Sequence, residues 1–140
     1  MRVLVCGSRT WTNREMLRRQ LDRLVDQCTD NILAVIHGCA QGADLLAKEW
    51  ATDVAGIYTV NVALMEFPAN WRIHGKSAGF IRNQQMLTEG KPDLVLAFWD
   101  GKSRGTKHMI DLAKKAGVRV EIIQENMTDE DVKHLHRENT

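Results

Sequence analysis

The sequence has no excess of charge of either sign, and this absence argues against one large class of partners. Its 140 residues contain 19 lysines and arginines and 18 aspartates and glutamates, which gives a formal net charge of +1. Proteins that bind nucleic acid tightly carry a basic excess that neutralises phosphates. Nucleic acid is therefore not an expected partner, although a local cluster of basic residues can still hold a phosphate group.

Cysteine is also scarce, and apolar runs are short. Cys6, Cys28 and Cys39 are odd in number and form no Cys-x-x-Cys pair, which suits a reducing cytoplasm and argues against disulfides or a structural zinc. The five histidines are scattered, so we expect neither a metal site nor a required cofactor. No run approaches the length of a membrane span, and the first residues become polar too quickly for a signal peptide. We expect a cytoplasmic protein without a membrane partner.

The sequence does contain an alternation of short apolar runs and helical patterns. Runs such as Val3–Val5 are continuous, which is typical of strands buried on both faces of a parallel sheet. Pro68 interrupts regular structure after the third run, and a helix is predicted over Lys76–Thr88. Five strands are predicted, at Arg2–Cys6, Ile32–Ile36, Ile57–Leu64, Leu94–Trp99 and Val118–Ile123.

Five strands that alternate with helices predict a single-domain α/β fold, a Rossmann-like three-layer sandwich with a mainly parallel five-stranded sheet. Residues 1–125 are expected to form a nucleotide-binding domain of this kind. Residues 126–140 are expected to form a polar C-terminal tail with a short helix at best.

The stretch Ile32–Ala51 has the pattern of a ligand-binding turn. An apolar strand ends at Ile36, a turn with two glycines follows, and a helical pattern begins at Ala43. Where a buried strand leads through glycines into a helix, unpaired backbone N–H groups and the positive end of the helix dipole favour an anion. We therefore expect an anionic or nucleotide ligand at this turn.

Three further loops are predicted at the same edge, because ligands of open parallel sheets bind beyond the carboxyl ends of the strands. These loops cover residues 7–9, 67–76 and 100–106, and two of them consist largely of small residues that allow close backbone approach. Basic residues that suit phosphate or carboxylate lie in or near them, namely Arg9, Arg72, Lys76, Arg82, Lys102 and Arg104.

Two common nucleotide-binding motifs are absent. Gly38-x-x-x-Gly42 does not match Gly-x-Gly-x-x-Gly, and no acidic residue ends the second strand to bind ribose hydroxyls. Gly101-Lys102-Ser103 is similar to the end of a P-loop, but Leu96 stands where the first glycine is needed. Dehydrogenase chemistry and ATPase or GTPase chemistry are therefore not expected.

Several side chains at this edge allow both a structural and a functional interpretation. Asp44 either caps its helix and complements the dipole or accepts hydrogen bonds from ribose hydroxyls. Trp71, Trp99 and Phe67 can stack on a base, although core packing is the better interpretation of Trp99. His37 ends a strand and is more simply a hydrogen-bonded core histidine than an acid or a base.

Five short motifs occur in order along the chain: Gly7-Ser8-Arg9, Gly38-x-x-x-Gly42-Ala43-Asp44, Pro68-x-x-Trp71, Gly79-x-x-Arg82-Asn83-x-x-Met86 and Ser103-x-Gly105-Thr106. This set resembles the SLOG superfamily, and within it the small YspA or YpsA-related proteins, which are often encoded in phages and prophages. The resemblance covers roughly residues 2–123. It implies a Rossmann-like domain that binds nucleotides or nucleotide-derived ligands and forms a homodimer or a larger homo-oligomer.

The superfamily also contains enzymes similar to the cytokinin-activating phosphoribohydrolases, which split a base from a ribose phosphate. Their Pro-Gly-Gly-x-Gly-Thr-x-x-Glu motif aligns with Gly101–Met109, where this sequence has Met109 in place of the catalytic glutamate. The candidates for a catalytic role are Arg82, Asp44 and Glu66, and the carboxylates of Asp44, Glu66 and Asp100 are the candidates to replace the missing glutamate. Nothing in the sequence shows that one of them replaces the glutamate, so catalysis stays open and binding is favoured.

The leading hypothesis is the binding of a nucleotide or nucleotide-derived small molecule, such as an ADP-ribose-like or NAD-like ligand, for sensing or sequestration. One alternative is a nucleoside-monophosphate N-glycosidase in which Arg82 grips the phosphate. Another is single-stranded DNA binding through basic loops and tryptophans. The candidate ligand-binding residues are Gly7, Ser8, Arg9, Gly38, Gly42, Ala43, Asp44, Trp71, Arg82, Asn83, Gly101, Ser103, Gly105 and Thr106.

Overall fold

The computed structural model describes residues 1–139, which fold as an α/β sandwich. A five-stranded, all-parallel sheet in the order β3-β2-β1-β4-β5 forms the middle layer, and this confirms the predicted fold class. The strands are β1 (Arg2–Gly7), β2 (Ile32–His37), β3 (Asn61–Glu66), β4 (Leu94–Phe98) and β5 (Arg119–Ile123). The helices are α1 (Arg14–Gln27), α2 (Ala43–Asp53), α3 (Trp71–His74), α4 (Ala78–Gly90), α5 (Arg104–Lys115) and α6 (Asp129–Asn139), with a 3-10 turn over Gly75–Ser77.

The continuous apolar runs of the central strands supply both faces of the sheet. Val3 and Val5 of β1 pack with α1 and α2 on one face, because alternate side chains of a strand point to opposite sides. Leu4 and Cys6 point the other way and pack with α4 and α5. Each face of the sheet therefore has its own apolar layer, and β4 is buried along its whole length between them.

The third strand begins later than the sequence predicts. Residues 57–60 form turns and bends, and β3 starts at Asn61 and continues to Glu66. Ile57, the first residue of the predicted strand, is 72% exposed, and its backbone amide closes a turn onto the Val54 carbonyl oxygen after α2. The chain uses these residues to travel from the end of α2 to the edge of the sheet.

The helical segments after β3 and at the C-terminus also differ in detail from the prediction. The four-residue helix α3 and the 3-10 turn precede α4, which begins at Ala78 rather than Lys76, and Asn70 caps α3 by accepting a hydrogen bond from the Ile73 amide. The expected polar tail contains the eleven-residue helix α6, whose Val132 is buried. The last residue of that tail, residue 140, lies outside the described residues. Within residues 1–139 no helix has the length and apolarity needed to cross a membrane.

The strand order reverses between β1 and β4. From β1 the chain moves outward through β2 to β3 on one side, and it then returns to place β4 and β5 on the other side. The helices that follow β1 and β4 consequently pack on opposite faces of the sheet, which favours a crevice at its carboxyl edge. Open α/β sheets bind their ligands at such a switch point.

Candidate ligand-binding site

A cleft of about 440 Å³ lies at this switch point, within the range of small-molecule sites. The loops after β1 and β4 form two of its walls, and the N-terminal half of α4 forms a third. Ten of the candidate residues line it: Gly7, Ser8, Arg9, Asp44, Trp71, Arg82, Asn83, Ser103, Gly105 and Thr106. The other four, Gly38, Gly42, Ala43 and Gly101, are not part of its lining.

Three of the candidate glycines allow parts of the protein to approach one another. A Cβ atom on Gly42, whose φ is +80°, would lie 2.3 Å from the Ser8 carbonyl oxygen. A Cβ on Gly7 would lie 2.5 Å from the Phe98 carbonyl oxygen, and one on Gly38 would meet the Arg82 guanidinium. The need for glycine at these positions is therefore explained by packing of the loops that build the cleft.

The Asp44 carboxylate binds backbone amides that the sequence predicts to be available to an anionic ligand. It is buried and accepts hydrogen bonds from the Gly38 amide at 2.9 Å and the Ala40 amide at 3.3 Å. Burial raises the pKa of the Asp44 carboxyl to about 6, although these hydrogen bonds and the Arg82 charge oppose the shift. The expectation of unpaired amides at this turn is wrong for these two groups, because the protein supplies its own carboxylate. Asp44 braces the turn and also lines the cleft.

Arg82 and Asn83 lie side by side on the face of α4 that points into the cleft. The Arg82 guanidinium donates to the Gly38 carbonyl oxygen and, through Nε, to Oδ1 of Asn83 at 3.2 Å. The Asn83 amide in turn donates to the Gly105 carbonyl oxygen at 3.1 Å. These bonds connect the turn after β2, helix α4 and the start of α5, so both side chains are held in position.

The loops after β1 and β4 are joined by a buried hydroxyl group. Ser8 accepts a hydrogen bond from the Asp100 amide at 3.0 Å, and the Asp100 carboxylate accepts from the Lys102 and Ser103 amides at 2.8 Å each. These backbone bonds hold the pKa of Asp100 below its usual value. Ser103 caps α5 by accepting from the Thr106 amide. The conformation of the cleft wall formed by residues 100–106 is therefore fixed by hydrogen bonds to its own side chains.

Aromatic side chains lie at the mouth of the cleft. Trp71 is 50% exposed, and the Arg9 guanidinium stands 5.9 Å from its ring centroid. Phe80, which is not among the candidate residues predicted from the sequence, also lines the cleft and contacts the His108 ring at 4.4 Å between centroids. Trp99 donates to the Ser103 carbonyl oxygen and packs against the core, which agrees with its structural interpretation, and Phe67 packs against the same apolar layer.

The charged groups of the lining favour an anion. Four cations line the cleft and two carboxylates accompany them, namely Arg9, Lys76, Arg82 and Arg104 with Asp44 and Asp100. Both carboxylates accept hydrogen bonds from backbone amides of the protein, which satisfies part of their capacity to accept hydrogen bonds. The cationic donors are thus the groups best able to bind a ligand.

Other residues considered for catalysis lie outside the cleft. Glu66 ends β3 and approaches His37 and Cys39 at the end of the neighbouring strand β2, and Lys48 of α2. Met109, at the position of the phosphoribohydrolase glutamate, is fully buried in the core between the sheet and α5. The cleft therefore has no carboxylate at the position that those enzymes use.

The spacing of the α4 motif could have identified part of this site directly. Gly79, Arg82, Asn83 and Met86 all line the cleft and follow the i, i+3, i+4, i+7 spacing of one helix face. Cys6 near the end of β1, and Thr10 and Ala40 in the loops after β1 and β2, also line the cleft, but such small residues carry no distinctive signal in the sequence.

An open parallel sheet with a cationic cleft at its switch point defines a Rossmann-like α/β ligand-binding domain. The chain belongs to the YspA, cpYpsA-related SLOG family, whose sequence model matches residues 1–74. It is 40% identical over 121 residues to the gene 61 protein of Mycobacterium phage D29, an alignment that covers 85% of this chain and 93% of the phage protein. The predicted SLOG membership is thus confirmed, and a phage protein is among the relatives.

A solved structure with the same fold is the DNA processing protein A (DprA) of Streptococcus pneumoniae. The TM-score is 0.62 at 15% sequence identity, and the match covers 99% of this chain and 56% of that one. The chain thus spans little more than half the length of DprA. At this identity the likeness establishes the fold alone.

Proposed function

We propose that the cleft binds a nucleotide or nucleotide-derived small molecule, such as an ADP-ribose-like or NAD-like ligand. The observation that carries this proposal is the half-buried Arg82, fixed by two hydrogen bonds on the cleft wall at the strand-order switch point. An arginine has five N–H donors, so the donors beyond these two bonds are suited to a phosphate. Membership of the SLOG family supports a nucleotide-related role in general terms.

The remaining parts of such a ligand have partners of matching chemistry. Lys76 and Arg104 line the cleft with Arg82 and suit a second phosphate or a carboxylate. The exposed Trp71 ring at the mouth is suited to stacking on a base, with Arg9 near its face. Asp44 lines the same cleft and is suited to accept hydrogen bonds from a sugar hydroxyl.

Binding is favoured over N-glycoside hydrolysis. An oxocarbenium-like transition state calls for a carboxylate close to the reacting sugar. Met109 is buried, Glu66 lies outside the cleft, and Asp44 and Asp100 are engaged by backbone amides. Incubation with nucleoside monophosphates should release no free base, and release that depends on Arg82 would favour the enzyme instead.

A thermal-shift panel tests the proposed binding. AMP, ADP-ribose and NAD⁺ carry phosphate, whereas adenosine shares the base and sugar without it. A ligand that binds the native state raises the melting temperature with its concentration, so at least one phosphate-bearing compound should do so while adenosine has little effect. If no nucleotide raises the melting temperature, the proposal fails.

Single-stranded DNA binding is a second candidate, favoured by the exposed Trp71 and Phe80 beside the cations of the cleft. Gel-shift titration at two salt concentrations tests it, because phosphate contacts make affinity fall steeply with salt. Absence of a shift at low salt would exclude this candidate.

We also propose that the protein is a homodimer or a larger homo-oligomer, as the resemblance to the SLOG superfamily implies. The apolar side chains of Ile73, Phe80 and Ile81 are exposed around α3 and α4 and suit an interface. Light scattering of the purified protein should give a mass of at least two chains, and the mass of one chain would contradict this proposal.

A further inference from the structure

Three side chains of metal-binding type converge outside the cleft, at the carboxyl ends of β2 and β3. The parallel register of these strands pairs His37 with Glu66, and the turn after β2 brings Cys39 to the same place. One ligand atom of each residue, a ring nitrogen, the thiol sulfur and a carboxylate oxygen, lies within 4.8 Å of the other two. None of the three residues lines the cleft described above.

The ring of His37 has a polar atom without a partner. Its side chain is 0% exposed, and its buried Nε2 atom makes no hydrogen bond. Oε2 of Glu66 lies 3.5 Å from this nitrogen, and no hydrogen bond forms between the two atoms. Buried polar atoms without a partner are uncommon in folded proteins, and a bound ion is one of the groups that can satisfy them.

Two of the three distances within the cluster fit the edges of a tetrahedron around zinc, and the third, between the ring nitrogen and the sulfur, lies within 4.8 Å. With ligand bonds of about 2.0–2.3 Å, neighbouring nitrogen and oxygen ligands are separated by roughly 3.3 Å and neighbouring sulfur and oxygen ligands by roughly 3.6 Å. The structure has 3.5 Å between Nε2 of His37 and Oε2 of Glu66, and 3.6 Å between Sγ of Cys39 and the same oxygen.

We propose that His37, Cys39 and Glu66 bind a divalent transition-metal ion, with zinc as the best fit. Thiolate and imidazole together select zinc or its close analogues over magnesium and calcium, which prefer oxygen ligands. Three protein ligands leave the fourth position of a tetrahedral ion to water or to a group of a substrate. Glu66 is partly exposed, so the site is reached from solvent.

Binding requires two local rearrangements and the loss of one proton. The Lys48 ammonium lies 3.1 Å from Oε2 of Glu66 and neutralises this carboxylate in the metal-free protein, so it must swing away into solvent. The Cys39 amide donates to Nδ1 of His37 at 3.1 Å, so the ring proton on Nε2 must move to Nδ1 and the amide must turn aside. The Cys39 thiol releases its proton to solvent as the metal–sulfur bond forms.

Cobalt titration of the full-length protein tests this site, because a Co²⁺–thiolate bond gives a near-ultraviolet charge-transfer absorption. In the wild type the absorbance of this band should rise until one equivalent of Co²⁺ has been added, and Zn²⁺ should abolish the band by competition. Cys39→Ser should lose the band, whereas Cys28→Ser should keep it, because the Cys28 thiol lies beside Asp30 and Ile32 at the opposite end of β2. Far-ultraviolet circular dichroism of each variant establishes that it is folded.

Two variants at charged positions separate the metal site from a simple polar contact. Glu66→Gln keeps the size of the side chain but removes its charge, and should weaken Co²⁺ binding by more than about tenfold. Lys48→Met removes no ligand and takes away the competing cation, so it should tighten binding by about fivefold. Absence of the band in the wild type, its survival in Cys39→Ser, or equal affinity of Lys48→Met and the wild type would overturn the proposal.

Discussion

Asp44 is a buried carboxylate whose ionisation should oppose folding. Burial raises its pKa in the folded protein to about 6, whereas the same group titrates near 4 in an unfolded chain. Between these two values the folded state retains a proton that the unfolded state has lost, so the free energy of unfolding falls as the pH rises. A difference of roughly two pKa units corresponds to about 3 kcal/mol, at about 1.4 kcal/mol for each unit.

The variant Asp44→Asn isolates this contribution. Asparagine keeps an oxygen that can accept from the Gly38 and Ala40 amides, but it has no ionisation in this range. Carboxylates with a lowered pKa, such as Asp100, make both proteins less stable as the pH falls, and this shared effect cancels when the two proteins are compared. At pH 4 about half of the Asp44 carboxyl group is already ionised in the unfolded chain, so the stability of the wild type relative to the variant should fall by about 2.5 kcal/mol between pH 4 and pH 7.

Urea denaturation of both proteins at pH 4, 5, 6 and 7 measures this difference directly. The decline should be concentrated between pH 4 and 6 and should level off above that range. Parallel pH profiles for the wild type and Asp44→Asn would refute the reasoning, because they would mean that the pKa of Asp44 is the same in the folded and unfolded states.

Two further substitutions test the packing and the mouth of the cleft. Gly42→Ala should lower the free energy of unfolding by roughly 2–5 kcal/mol in urea denaturation, because the new Cβ atom is strained by the positive φ and clashes with Ser8. Gly117 has a similar φ but no atom within 4 Å, so Gly117→Ala should lower it by only about 1–2 kcal/mol. Equal losses of stability in the two variants would show that the protein relieves the contact with Ser8 at little energetic cost. Trp71→Ala should weaken nucleotide binding by about 1–3 kcal/mol in calorimetry, while the exposed neighbour Ile73→Ala should leave it unchanged. Equal affinity of both variants would rule out base stacking on Trp71.

The sheet could be predicted from the sequence because its central strands are buried on both faces. Continuous apolar runs such as Val3–Val5 and Leu94–Phe98 are too short for buried helices and are typical of strands covered on both sides. The edge strand β3 is only half-buried and has a weaker pattern, so the exposed Ile57 shifted its predicted start. Burial on one face leaves the boundaries of a strand poorly specified by composition alone.

The location of the cleft could also be predicted, because chain topology brings the loops after parallel strands together. What the individual residues do there depends on atoms that are distant in sequence. The glycine pattern at Gly38 and Gly42 predicts a ligand at this turn, but the groups closest to these two glycines are Arg82 and Ser8. The approach of His37 to Glu66 depends on the register of β2 and β3, which sequence spacing does not reveal.

Calorimetric titration of whichever of AMP, ADP-ribose and NAD⁺ raises the melting temperature most, into the wild type, Arg82→Lys and Arg14→Lys, tests the central claim most directly. Arg82→Lys keeps the charge but loses the fork of donors that suits phosphate, so its affinity should fall by about 1.5–3 kcal/mol, roughly tenfold to a hundredfold. Arg14 pairs with Glu49 on the exposed surface of α1, and Arg14→Lys should bind as the wild type does. Absence of binding to the wild type, or equal affinity of Arg82→Lys and the wild type, would contradict phosphate recognition by Arg82 in this cleft.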